Sequence, residues 1–148
     1  MGPPSNRTVG IAVGALISLT LFHFTDNFVN VEDYPRPGWQ SATFIQVGAL
    51  ITWPLFAAFG VLGYRRYREG RFPQAHIYLI GSSYLGLISL LHFTSASPDE
   101  LTTRGLVSVL IDGVVGAALL GVALWSILAR RGQAGTAPAG AASGGGSR

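Results

Sequence analysis

The chain has 148 residues, of which 49% are hydrophobic and 11% charged, and it carries a formal charge of +3. So small a charged share cannot cover a water-facing globule, and the length suits a single domain. Cysteine is absent, which excludes disulfides, thiolate metal sites and thiol catalysis together. The basic residues sit beside apolar runs, so they argue for orientation in a membrane and against nucleic-acid binding.

Four apolar stretches follow in chain order, at about 8–29, 42–64, 75–95 and 105–128. Each is long enough to cross a hydrocarbon core of roughly 30 Å as a helix. Their apolar runs are continuous rather than alternating, which excludes a closed barrel. The first follows Arg7 and ends in His23, Asp26, Asn27 and Asn30. These fall at i, i+3, i+4 and i+7 and so share one helix face. No small-x-small site follows, so the stretch does not read as a cleaved signal. The first link carries Glu32, Asp33 and Arg36, with Pro35 and Pro37 stiffening it and Trp39 suited to an interface.

The second stretch carries a stripe of Gln46, Ala49, Trp53, Ala57 and Gly60, with Pro54 expected to kink the helix. Arg65, Arg66, Arg68 and Arg71 fill the next link. The third stretch begins near His76 and ends near His92. Its Leu91-His92-Phe93-Thr94 echoes Leu21 to Thr25, but the second and fourth stretches do not correspond, so the echo reads as coincidence. Asp99, Glu100 and Arg104 lead into the fourth stretch, which holds Ser108 and Asp112. Gly113, Ala117 and Gly121 recur there at four-residue steps, a small-xxx-small seam for a helix of this chain, a second copy or another membrane protein. Trp125 suits an inner aromatic belt, and Arg130 and Arg131 close the stretch.

The arginine distribution places both termini and the 65–71 link in the cytoplasm. The expected fold is therefore all-α, an integral membrane four-helix bundle, N-in and C-in, over residues 1–131. Residues 132–148 are a Gly/Ala/Ser-rich tail expected to be disordered. Arginine without lysine, with abundant Gly and Ala, points to a GC-rich bacterial genome and hence to the inner (plasma) membrane.

Ionisable groups inside a membrane helix are costly, so their retention needs a reason. The topology puts His23, Asp26, Asn27, Asn30, His92 and Asp112 at one level in the outer half of the bundle. Three readings stand: interhelical hydrogen bonding that fixes register, a site for a small or lipid-like ligand, and a metal or haem site on His23, His92 and Asp112. No HxxxH or ExxH pair lies on one helix, so a divalent metal or haem is not favoured. No serine stands in an elbow or triad order, which leaves turnover open.

The order of landmarks resembles the EXPERA-type membrane proteins, the sterol isomerase and sigma-2 receptor group. Asp26 late in the first helix, Tyr34-Pro35, Trp39, mid-helix Pro54, and Pro73 followed by Ile77-Tyr78 carry the resemblance. It implies a four-helix bundle with a pocket for a sterol-like or other amphipathic ligand among its helices. That group also carries an acidic residue on the second helix before the proline, where this chain has Gln46 and Gly48.

Overall fold

Ser5 opens the first helix, α1 (Asn6–Val29): its hydroxyl accepts the Thr8 N–H at 3.1 Å, satisfying one donor that a helix start leaves unpaired. The computed structural model describes residues 2–34, 38–95 and 100–135. Gln46 donates to the Phe28 carbonyl at 2.9 Å and so serves one of the acceptors left open at the end of α1. A 3-10 turn, Val31–Asp33, follows. Ser41 starts α2 (Ala42–Arg68) by the device used at Ser5. Gly70, at φ 72°, turns the chain with a conformation that a side chain would resist. It leads to α3 (Phe72–Leu87), with a proline in its first turn.

The third stretch is not one continuous α-helix, as expected over 75–95. It passes through a 3-10 turn at Ile88–Leu91 and resumes as the single turn α4 (His92–Ser95). Winding at three rather than 3.6 residues per turn rotates the chain about 80° further over four residues. That rotation sets the direction from which His92 enters the bundle. The last helix, α5 (Thr103–Gly135), runs about two turns past the expected end at 128, through residues assigned to the tail. α2 likewise continues to Arg68 rather than 64. In the last turn of α2 the buried Tyr67 packs inward, and past the end of the apolar run on α5 Arg130 lies against the Phe72 ring, so each helix is held beyond its apolar run. Pro35, Arg36, Pro37, Asp99 and residues 136–148 lie outside the described residues.

Among the described residues four helical spans are long and apolar enough to cross a membrane: Asn6–Val29, Ala42–Arg68, Phe72–Thr94 and Thr103–Gln133. They pack in a ring, α1 against α2, α2 against α3, α3 against α5 and α5 against α1, as up-down connectivity through short links dictates. Large apolar side chains such as Phe22, Leu50, Ile77 and Val114 point outward, a coat that suits lipid. Inside, Val9, Val13, Leu16, Leu79, Leu85 and Leu119 form the core. Between apolar surfaces that lipid would solvate equally well, close packing and hydrogen bonds hold helices together.

The tightest packing is where α3 crosses α5. A Cβ on Gly116 would stand 2.8 Å from both the Leu87 nitrogen and the Ser83 carbonyl oxygen, and one on Gly86 would strike the Asp112 carbonyl. The expected seam of Gly113, Ala117 and Gly121 is divided. Gly113 is buried against Leu90, whereas Ala117 and Gly121 are exposed and a Cβ on Gly121 would meet nothing. A helix turns 100° per residue, so four-residue steps drift about 40° each, and the stripe leaves the interface.

At the arginine-bearing end, one network joins α2, α3 and α5 to the segment that leads into α1. The Tyr67 hydroxyl donates to the Pro4 carbonyl at 2.7 Å and accepts from Ser126 at 3.3 Å, while His76 Nε2 donates to Ser126 at 2.9 Å. The Arg130 guanidinium lies 3.1 Å from the centre of the Phe72 ring. Glu69 pairs with Arg65 and Arg66 at 3.0 Å, and their hydrogen bonds hold its carboxyl below the usual carboxylate range.

Candidate functional site

The opposite end is built differently. Every buried residue of α2 lies at or beyond Ala57 on the arginine side of Pro54, and none lies in the first dozen residues of the helix. Proline removes a backbone donor and interrupts the helix ladder there. A cavity of about 420 Å³ lies between this half of α2, the end of α1 and the turn from α3 into α4. α2 gives it a mostly apolar or small wall with Phe44, Ile45, Gly48 and Ala49, broken by Thr52, and Gln40 lines it just before the helix. His23, Asn27, Tyr34, Ser89 and His92 supply the polar wall. A volume of this size with a few convergent polar groups is typical of small-molecule sites. A second recess, about 450 Å³, runs between α1 and α5 and presents an almost wholly apolar surface of Leu19, Phe22, Val107 and Ile111.

The two histidines meet as the helix faces and depths suggest. Their ring centres are 5.6 Å apart, and the Tyr34 ring packs 5.6 Å from His23 and 5.2 Å from His92. His23 Nδ1 lies 2.9 Å from Ser108 Oγ, which itself donates to the Gly105 carbonyl at 2.9 Å. A hydroxyl has one proton, so here His23 carries its hydrogen on Nδ1 and donates it to Ser108. The Asn27 amide nitrogen stands 3.2 Å from His92 Nε2 and can only donate, so His92 Nε2 accepts. Asn27 Oδ1 is enclosed and has no hydrogen-bond partner.

Asp26 and Asn30 belong to an adjoining network and do not line the cavity. The Asp26 carboxylate accepts from the Tyr34 hydroxyl at 2.6 Å and from Asn30 at 2.8 Å, and Arg104 Nε approaches it at 3.2 Å. Arg104 also reaches Asp33 at 3.0 Å. Asp112 stands apart from the imidazoles. It is fully buried and accepts from Ser89 at 2.8 Å, and its other oxygen has no partner. Its link to the cavity therefore passes through Ser89. Among the described residues no three His, Asp or Glu side chains gather where they could hold a metal ion, and the metal alternative on His23, His92 and Asp112 goes no further.

The chain sequence alone did not single out Tyr34, Ser89 or Arg104 for these roles. Tyr34 stood out only as a loop landmark and Arg104 only as a charge in a link. Their one signal is proximity to candidate residues: Tyr34 lies eight residues after Asp26, and Arg104 one turn before Ser108.

Burial, and then the hydrogen bond to the Asp26 carboxylate, push the Tyr34 phenol well above its ordinary 10.0. The unfolded chain would release that proton near 10 while the folded chain keeps it. Stability contributed by this group is thus full below pH 10 and declines as pH rises above it. Thermal melts between about pH 9 and 11 should show this loss, and Tyr34→Phe should flatten it. An unchanged slope in Tyr34→Phe would contradict the assignment.

Compared with protein-family models, with curated proteins and with solved structures, the chain matches none of them.

Proposed function

We propose that this is a multi-pass protein of a bacterial plasma membrane, with both ends cytoplasmic, whose outer cavity binds a small amphipathic or lipid-like ligand. One observation carries the reading: the cavity of about 420 Å³ has a wall on α2 that is apolar but for Thr52, and a hydrogen-bonding wall on α1 and the α3–α4 turn. Such a split matches a molecule with a hydrocarbon body and one polar end. The EXPERA-type likeness implies a pocket among the helices and supports the same reading. Isomerisation is not part of the proposal. Where that group has an acid on the second helix, this chain has Gly48, which lines the cavity, and Gln46, which spends its amide on the Phe28 carbonyl.

Gly48 offers a direct test. A Cβ there would meet nothing within 4 Å, so Gly48→Trp can fill the cavity without forcing the helices apart. Mass spectrometry of extracts should find a specific small molecule with the purified chain and at least tenfold less of it, roughly 1.4 kcal/mol in affinity, with Gly48→Trp. Equal retention by a Gly48→Trp protein of unchanged helicity would sink the proposal.

A further inference from the structure

We propose that the arginine-bearing end of the α1–α2 seam holds the phosphate of an anionic phospholipid between Arg7 and Arg68. That end lies across the bundle from the cavity, so the two sites stand or fall separately.

The register of the two antiparallel helices brings these arginines side by side. A Cβ on Gly60 would stand 3.3 Å from Val13 Cγ1, and one on Gly10 would stand 3.1 Å from the Tyr64 ring. Gly60 thus faces Val13 and Tyr64 faces Gly10, and one further turn sets Arg68 opposite Arg7. The Arg68 guanidinium rests over the Tyr64 ring, 5.8 Å from its centre. At about 100° per residue, both arginines turn from the line of contact toward the outside of the seam. Val9, Leu16 and Thr20, the buried face of α1, turn the other way.

Both arginines are exposed, and neither joins an ion pair among the described residues. Glu69, next along the chain, turns to the far side of α2 and is taken by Arg65 and Arg66. No acid lies in the first turn of α1, where the helix start adds its own positive potential. Two such arginines on facing helices fit a phosphate, to which each can offer paired N–H donors. A head group with an ammonium would bring a further positive charge against them, so the site favours a net-negative lipid. Ile11, four residues after Arg7, and Val61, seven before Arg68, are exposed on the same faces. They give acyl chains an apolar bed, which a free anion would not use.

The full chain, delipidated in detergent, is titrated with phosphatidylglycerol or with phosphatidylcholine of the same acyl chains. Native mass spectrometry counts the lipids bound. Phosphatidylglycerol should bind about tenfold tighter or more, and Arg7→Gln/Arg68→Gln should abolish the preference. Arg65→Gln/Arg71→Gln removes the same charge from the same end and should keep it. Melts in detergent confirm that both double variants are folded. No preference in the natural chain, or one that survives in Arg7→Gln/Arg68→Gln, overturns the proposal. Equal loss in both double variants overturns it too, because diffuse charge would then explain the binding. Release of the lipid by excess inorganic phosphate would reveal a site for a free anion and sink the lipid assignment.

Discussion

Gly86→Val should prevent α3 from seating on α5 and cost about 3 kcal/mol or more, at or beyond the upper end for overpacked interiors. The expectation follows from what the new side chain would meet. A Cβ on Gly86 runs into the Asp112 carbonyl and stands 2.8 Å from the Gly116 nitrogen, and both are backbone. Backbone cannot swing aside as a leucine tip can, so the helices must separate, and dispersion contacts along the whole crossing weaken with them. Gly121→Val provides the contrast, because nothing lies within 4 Å of its Cβ. Melting in detergent should show a large loss for the first variant and almost none for the second. Similar losses for both would mean that the crossing is looser than described.

Asp26→Leu should be the most damaging single change in the polar half, by about 2–4 kcal/mol. Breaking a buried ion pair usually costs about 3–5 kcal/mol. The cost here falls below that range because Arg104 is 47% exposed and retains Asp33 as a partner. The remainder comes from Tyr34 and Asn30, whose donors would lose their acceptor together. Adding Arg104→Met should restore part of the loss, since the cation would no longer face an apolar neighbour. Melts of the two single variants and the double close a mutant cycle. Strict additivity would show that Asp26 and Arg104 do not act as a pair.

The residues told different amounts about different parts of the molecule. The spans were legible because hydropathy over twenty residues is a strong signal, and His23 with Asn27 because a four-residue step fixes a helix face. Depth was legible too, since His23 and His92 both lie near the same end of their spans. Azimuth was harder. Asp112 sits at a suitable depth yet faces Ser89, and a stripe of small residues drifted off the interface while Gly86 and Gly116, never picked out, made the closest contact. A 3-10 turn at Ile88–Leu91 cannot be read from periodicity, although it decides where His92 points. Tyr34 was invisible for another reason: the path of the chain after α1 places it, and no repeat marks that path, while Arg104, in the first turn of α5, read only as a charge at a helix start.

The network around Tyr67 anchors the foot of α2. From Tyr67 to Phe44 the helix is about 35 Å long at 1.5 Å per residue, with Phe44 on the cavity and Tyr67 bonded to Pro4 and Ser126. Over that lever a tilt of about 5° displaces the far end by about 3 Å, close to the thickness of a hydrocarbon chain. A tilt of that size would pull Gln46 off the Phe28 carbonyl and Trp53 off the Thr20 hydroxyl, so these two bonds to α1 fix the girth of the chamber from the far side.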